Sequence, residues 1–116
     1  MCAYVRDELR ARRVEVQSKL QDTKDLWFAV TMDSGLSINI CACYHPPKSI
    51  YDVPSFKQHL AHSISLLIDN DPEAIFILTG DLNRLNTSAL QTNLGLVQIV
   101  NIPTHNNNIF NQFITN

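Results

Sequence analysis

The stretch that most constrains this chain is residues 74–83, Ala-Ile-Phe-Ile-Leu-Thr-Gly-Asp-Leu-Asn, an apolar run that ends in a glycine and two polar side chains. Ala74 to Leu78 is too short for a buried helix. Its β-formers suit a strand covered on both faces in the middle of a sheet. Gly80 lets the backbone turn sharply or lets a ligand come close. If the extended backbone continues, Asp81 and Asn83, two apart, leave the strand end on the same side. Such a pair suits a metal or water on one side chain and a substrate oxygen on the other. The same residues also spell a plain Asx-rich turn after a strand, and both readings stand at this point.

The rest of the chain supplies a sheet around that strand. Residues 26–32 and 37–44 alternate in two faces about a turn at Asp33-Ser34-Gly35, the pattern of a β-hairpin. Cys41 and Cys43 share a face of the second strand, where small side chains let another layer pack closely. They lack the paired Cys/His spacings of a zinc site, so all three cysteines read as reduced packing residues. Pro46 and Pro47 stop the hairpin. Asp52 and Pro54 then open a helix whose Phe56, Leu60, Ile64, Leu67 and Ile68 form one buried stripe. His59 and His62, three apart on that helix, read as ordinary exposed histidines because no third metal ligand lies nearby.

Strand, helix, strand is a crossover unit, which predicts parallel pairing of the second hairpin strand with the central one. Before it, residues 2–5 suggest a strand, 6–13 an exposed turn or short helix, and 14–17 a half-exposed strand. After it, the spacing predicts a short helix over 88–93 ended by Gly95, an extended segment over 96–102, an asparagine-rich loop and a last strand over 109–115.

With 116 residues, 45% hydrophobic and 17% charged, the chain fits one small globular domain. A formal net charge of −2 gives no overall electrostatic pull toward nucleic acid. Arg84 is the last charged residue, so the final third is expected to pack against something. No run approaches the roughly 20 apolar residues of a membrane span and no signal-peptide pattern follows Met1, which leads to the expectation of an intracellular protein, nuclear or cytoplasmic, with no membrane partner.

Taken in order, the hairpin ending Tyr44-His45-Pro46-Pro47, the crossover helix, Gly80-Asp81-Leu82-Asn83 and the terminal Phe110-Asn111-Gln112-Phe113 resemble the endonuclease/exonuclease/phosphatase superfamily. Within it they are most similar to the apurinic-type endonuclease domain of non-LTR retrotransposons. The resemblance implies an α/β fold, with residues 1–116 forming a fragment of a four-layered α/β sandwich with mixed β-sheets. It also implies a relation to Mg²⁺- or Mn²⁺-dependent nicking of DNA. Tyr44 would then contact the scissile phosphate, Asp81 would activate or position the attacking water and serve as a metal ligand, and Asn83 would hold a phosphate oxygen or help orient that water.

The same resemblance marks departures. No counterpart of the family's leading Asn strand or metal-binding Glu is found, and the closing Ser-Asp-His motif would lie beyond Asn116. Asn111 stands where the family usually has an aspartate that orients the catalytic histidine, and an amide adds no charge to stabilise imidazolium. His105 sits in the loop where the family often has a Thr-His turn, and it is not that catalytic histidine. The expectation is a partial, retrotransposon-derived domain, inactive as an isolated chain, whose partners are DNA and the remainder of its own domain or a reverse-transcriptase region. The alternatives are a non-catalytic assembly module built on the same sheet, and a phosphatase-branch member.

Overall fold

The computed structural model describes residues 1–17 and 20–116. Its elements in chain order are β1 (Arg10–Arg13), β2 (Lys24–Thr31), β3 (Ser37–Tyr44), α1 (Val53–Asn70), β4 (Ile75–Asp81), α2 (Ser88–Leu94), β5 (Val97–Gln98) and β6 (Asn111–Thr115). The six strands form one mixed sheet in the order β1-β2-β3-β4-β6-β5. Among the described strands only β3 and β4 run parallel, as the crossover through α1 requires. The hairpin β2–β3 closes through Met32 and Leu36, with Gly35 at φ 87°.

Helix α1 begins where Asp52 accepts the Ser55 backbone N–H at 3.0 Å, with Pro54 in the first turn, where its missing N–H costs nothing. Its stripe of Phe56, Leu60 and Ile64 is fully buried. Those side chains meet Trp27, Cys41, Phe76, Leu78 and Ile114 in one core, which Leu90 of α2 joins. Complete burial of each large apolar side chain contributes roughly 1.5–3 kcal/mol. One sheet carrying one helical layer is half of the four-layered arrangement.

Among the described residues, no helix lies on the opposite sheet face. Leu26, Phe28, Ile38, Ile40, Ile75, Ile77 and Phe113 lie there in register across four strands, half-buried and outside the core. The expectation that β4 is covered on both faces is therefore met on one face only. An all-apolar run cannot say which of its two faces the same chain covers.

Several shorter readings change as well. Residues 2–5 form no strand, and 10–13, read as turn or helix, are the edge strand β1. Val14 keeps one ladder bond to Trp27 although the strand ends at Arg13. Regular pairing in the 96–102 segment shrinks to Val97–Gln98. Cys41 and Cys43 are buried as expected. Burial raises the Cys41 thiol well above its ordinary value and the Cys43 thiol to about 12, with the Asp25 charge adding to both, so neither is a nucleophile. Cys2, by contrast, is exposed.

Candidate functional site

Tyr44, Asp81 and Asn111 stand side by side at one end of the sheet. Tyr44 ends β3, Asp81 ends β4 and Asn111 begins β6, and the register pairs Tyr44 with Asp81 and Asp81 with Asn111. In-register neighbours share a face, here the uncovered one, and strands about 4.8 Å apart place the three within about 10 Å. Two backbone bonds carry the pairing one residue further, from His45 N–H to the Asp81 carbonyl at 2.9 Å and from Leu82 N–H to the Phe110 carbonyl at 2.8 Å. The row is thus fixed by ladder hydrogen bonds.

Asn83 departs from the extended backbone, with φ 49°. Its N–H donates to Asp81 Oδ1 at 3.0 Å, which closes an Asx turn. Its Nδ2 donates to the His45 carbonyl at 2.6 Å. Of the two readings open for this stretch, the backbone adopts the turn, and it does so while keeping Asp81 in the row. Asn83 ties the end of β4 to the loop after β3. Leu82 and Leu85 anchor the turn in the core on either side, leaving Arg84 exposed between them.

Gly80 is needed for a reason other than a turn or a ligand. It lies inside β4 at φ 141°, and a Cβ there would sit 1.8 Å from the Cys43 carbonyl oxygen. The close approach is that of the neighbouring strand.

Behind the row, on the α1 side, the His45 ring stacks on Phe56 at a centroid distance of 5.5 Å and shares a 2.8 Å hydrogen bond with the Tyr51 hydroxyl. Burial, and after it the nearby Lys57 ammonium, lower the His45 pKa. His45 is therefore a neutral structural group that props the loop bearing Pro46 and Pro47.

Asp81 is the single carboxylate in the row, and among the described residues no three His, Cys, Asp or Glu side chains cluster as a metal site. Magnesium is held by one or two carboxylates together with water and substrate phosphates. One carboxylate beside a phenol and an amide oxygen is a partial ligand set, so a magnesium ion held here would depend on water, substrate phosphate or further ligands for the rest of its shell.

A second polar cluster lies between β2 and α1. Asp25 on β2 accepts from Trp27 Nε1 at 2.5 Å and meets His59 Nε2 of α1 at 2.8 Å. Both side chains are buried, so His59 is not the exposed histidine expected, whereas His62 is exposed. The available signal was Asp25 falling on the same strand face as Trp27 and Ala29, a carboxylate directed into a core.

No family model matches the chain, and no curated protein matches it by sequence. The fold does match solved structures. Truncated Caenorhabditis elegans TDP2 superposes with a TM-score of 0.57 at 10% identity, covering 96% of this chain and 54% of that one. The human Nocturnin catalytic domain, solved with a bound sulfate anion, gives 0.55 at 10% identity, covering 92% and 47%. Both are endonuclease/exonuclease/phosphatase-superfamily enzymes. At this identity the likeness is one of fold, and the chain spans about half the length of each.

Proposed function

We propose that this chain is part of a phosphodiester-hydrolysing domain of the non-LTR retrotransposon endonuclease type, and that the isolated chain is inactive. The observation that supports the reading most is the row Tyr44, Asp81 and Asn111, held in register at one sheet end in a fold shared with two superfamily enzymes. Hydrolysis of a phosphodiester requires a proton taken from water, relief of charge on the non-bridging oxygens and a proton for the leaving alkoxide. Asp81 suits the first as a carboxylate base, and the Tyr44 hydroxyl suits the second as a donor. Nothing in the row performs the third, because Asn111 is an amide and the His45 ring is engaged behind the sheet with Tyr51. DNA and Mg²⁺ or Mn²⁺ enter this reading through the family resemblance, and the metal would need ligands beyond Asp81.

Purified chain incubated with supercoiled plasmid in Mg²⁺ is expected to leave it intact. Nicking that disappears in Asp81→Ala would show that the row is sufficient and would overturn the inactivity. Release of phosphate from an inositol phosphate, with DNA untouched, would favour a phosphatase-branch member.

A second reading, assembly through the uncovered sheet face, has its own support. A compact monomer of 13.1 kDa exposes about 6,400 Å², whereas this chain exposes 7712 Å², roughly 1,300 Å² more. A standard interface needs only about 800 Å² per partner.

A further inference from the structure

A cleft of about 440 Å³ opens at the same sheet end, between the start of α1 and the loop after β4. Its charged lining is Lys57 from α1 and Arg84 from the loop, with no carboxylate among the lining residues. Neither cation has an ion-pair partner among the described residues, where the charged pairs are Arg6–Glu8, Arg13–Glu15 and His59–Asp25. Two unneutralised cations facing one cavity favour an anion. Asn83 and Asn86 also line the cleft, their side chains already bonded to the His45 carbonyl and the Ser88 backbone N–H.

Apart from the His45 ring, the remaining lining is apolar. Pro47, Val53, Leu85 and Phe110 supply it, and the Phe110 ring already stacks on His105 at 5.4 Å. A ligand that satisfies both halves carries a planar, weakly polar ring joined to an anionic group. The volume suits one such unit, since small-ligand pockets start at about 300 Å³. Asn83 belongs both to the cleft and to the turn that holds Asp81, so a polymer crossing the sheet end passes from one to the other.

We infer that this cleft is a nucleotide subsite for a single nucleic-acid strand, in which Lys57 and Arg84 hold a backbone phosphate and Phe110 stacks the adjoining base, next to the phosphodiester at Asp81. The inference rests on the phosphodiester reading of the row, yet it concerns binding alone. A formal charge of −2 over the whole chain does not oppose it, because the attraction is local to a cleft that has no acid in it.

The test is fluorescence anisotropy of a labelled single-stranded oligodeoxynucleotide titrated with the intact chain over a series of salt concentrations. The double variant Lys57→Gln/Arg84→Gln is expected to weaken binding about tenfold and to flatten the log–log salt slope by roughly 0.7 for each phosphate no longer neutralised. Phe110→Ala is expected to weaken binding about tenfold with the slope unchanged, since stacking releases no counterions. The readout is binding alone and is independent of the plasmid-nicking and phosphate-release assays, which separates a failure of this subsite from a failure of the hydrolytic reading. Unchanged affinity and slope in the double variant, with an unchanged melting temperature, would overturn the proposal. Displacement by inorganic phosphate as effective as displacement by a mononucleotide would also overturn it, leaving a plain anion site.

Discussion

Asp25 and His59, 34 residues apart, fasten β2 to α1 through a buried 2.8 Å carboxylate–imidazole contact. Burial alone would raise the Asp25 pKa. Hydrogen bonds from His59, Trp27 and Thr23, together with the charge on His59, outweigh it and bring the group from 3.8 to about 2. A depressed carboxyl pKa stabilises the fold fully above its unfolded value and loses that contribution as pH falls through the folded value. Asp25→Asn is therefore expected to cost about 2 kcal/mol at neutral pH, with the gap to the parent closing between about pH 4 and pH 2. Urea unfolding at a series of pH values measures it, and a gap independent of pH would refute the linkage.

Gly80→Ala is expected to be among the most damaging single-methyl additions in the chain. The new Cβ would collide with the Cys43 carbonyl, and φ 141° is itself unfavourable for an L-residue. A loss of about 3 kcal/mol or more follows, because β3 and β4 cannot separate without breaking the central ladder. Circular dichroism melting reads this directly. A loss under about 1 kcal/mol would mean that the strands can move apart there.

At Asn83 the backbone and side-chain contributions can be separated. The left-handed φ of 49° favours Gly or Asn, and the side chain also donates to the His45 carbonyl. Asn83→Gly removes the side-chain hydrogen bond, keeps the left-handed backbone accessible and frees the unfolded chain, and is expected to cost about 1 kcal/mol. Asn83→Ala adds the conformational penalty and is expected to cost about 1 kcal/mol beyond that. Equal stabilities for the two variants would show that the turn tolerates a Cβ.

The sequence made the sheet end legible because its residues carry local signals. Pro46 and Pro47 mark where β3 stops, and the Gly-Asp-x-Asn run marks where β4 stops. A crossover helix between them then requires parallel pairing, which brings Tyr44 beside Asp81. What remained hidden depends on the third dimension. Asp25 finds His59 only after α1 has docked, and Lys57 and Arg84 share a cleft only because a helix start and a loop anchored by Leu82 and Leu85 converge. The role of Gly80 was ambiguous for the same reason, since what approaches it is a strand distant in sequence.

The uncovered sheet face is apolar at its middle. Ile40 of β3 and Ile77 of β4 are register partners near its centre, each half-buried and without a covering helix. Large exposed side chains continue the apolar surface elsewhere, Val97 at 61%, Ile99 at 53% and Ile102 at 76% exposure, all in the stretch after Arg84 that carries no formal charge. Apolar surface of this extent is costly to leave in water, and two such faces can pack as stacked sheets about 10 Å apart. Sedimentation velocity of the purified chain at micromolar concentration is expected to show a dimer. Ile40→Lys places an ammonium at the centre of that contact and is expected to shift the population to monomer. Its effect on folding should be small, because the residue lies outside the core formed with α1. A parent chain that sediments as a clean monomer would count against the assembly reading and leave the phosphodiester site as the better-supported reading of this fold.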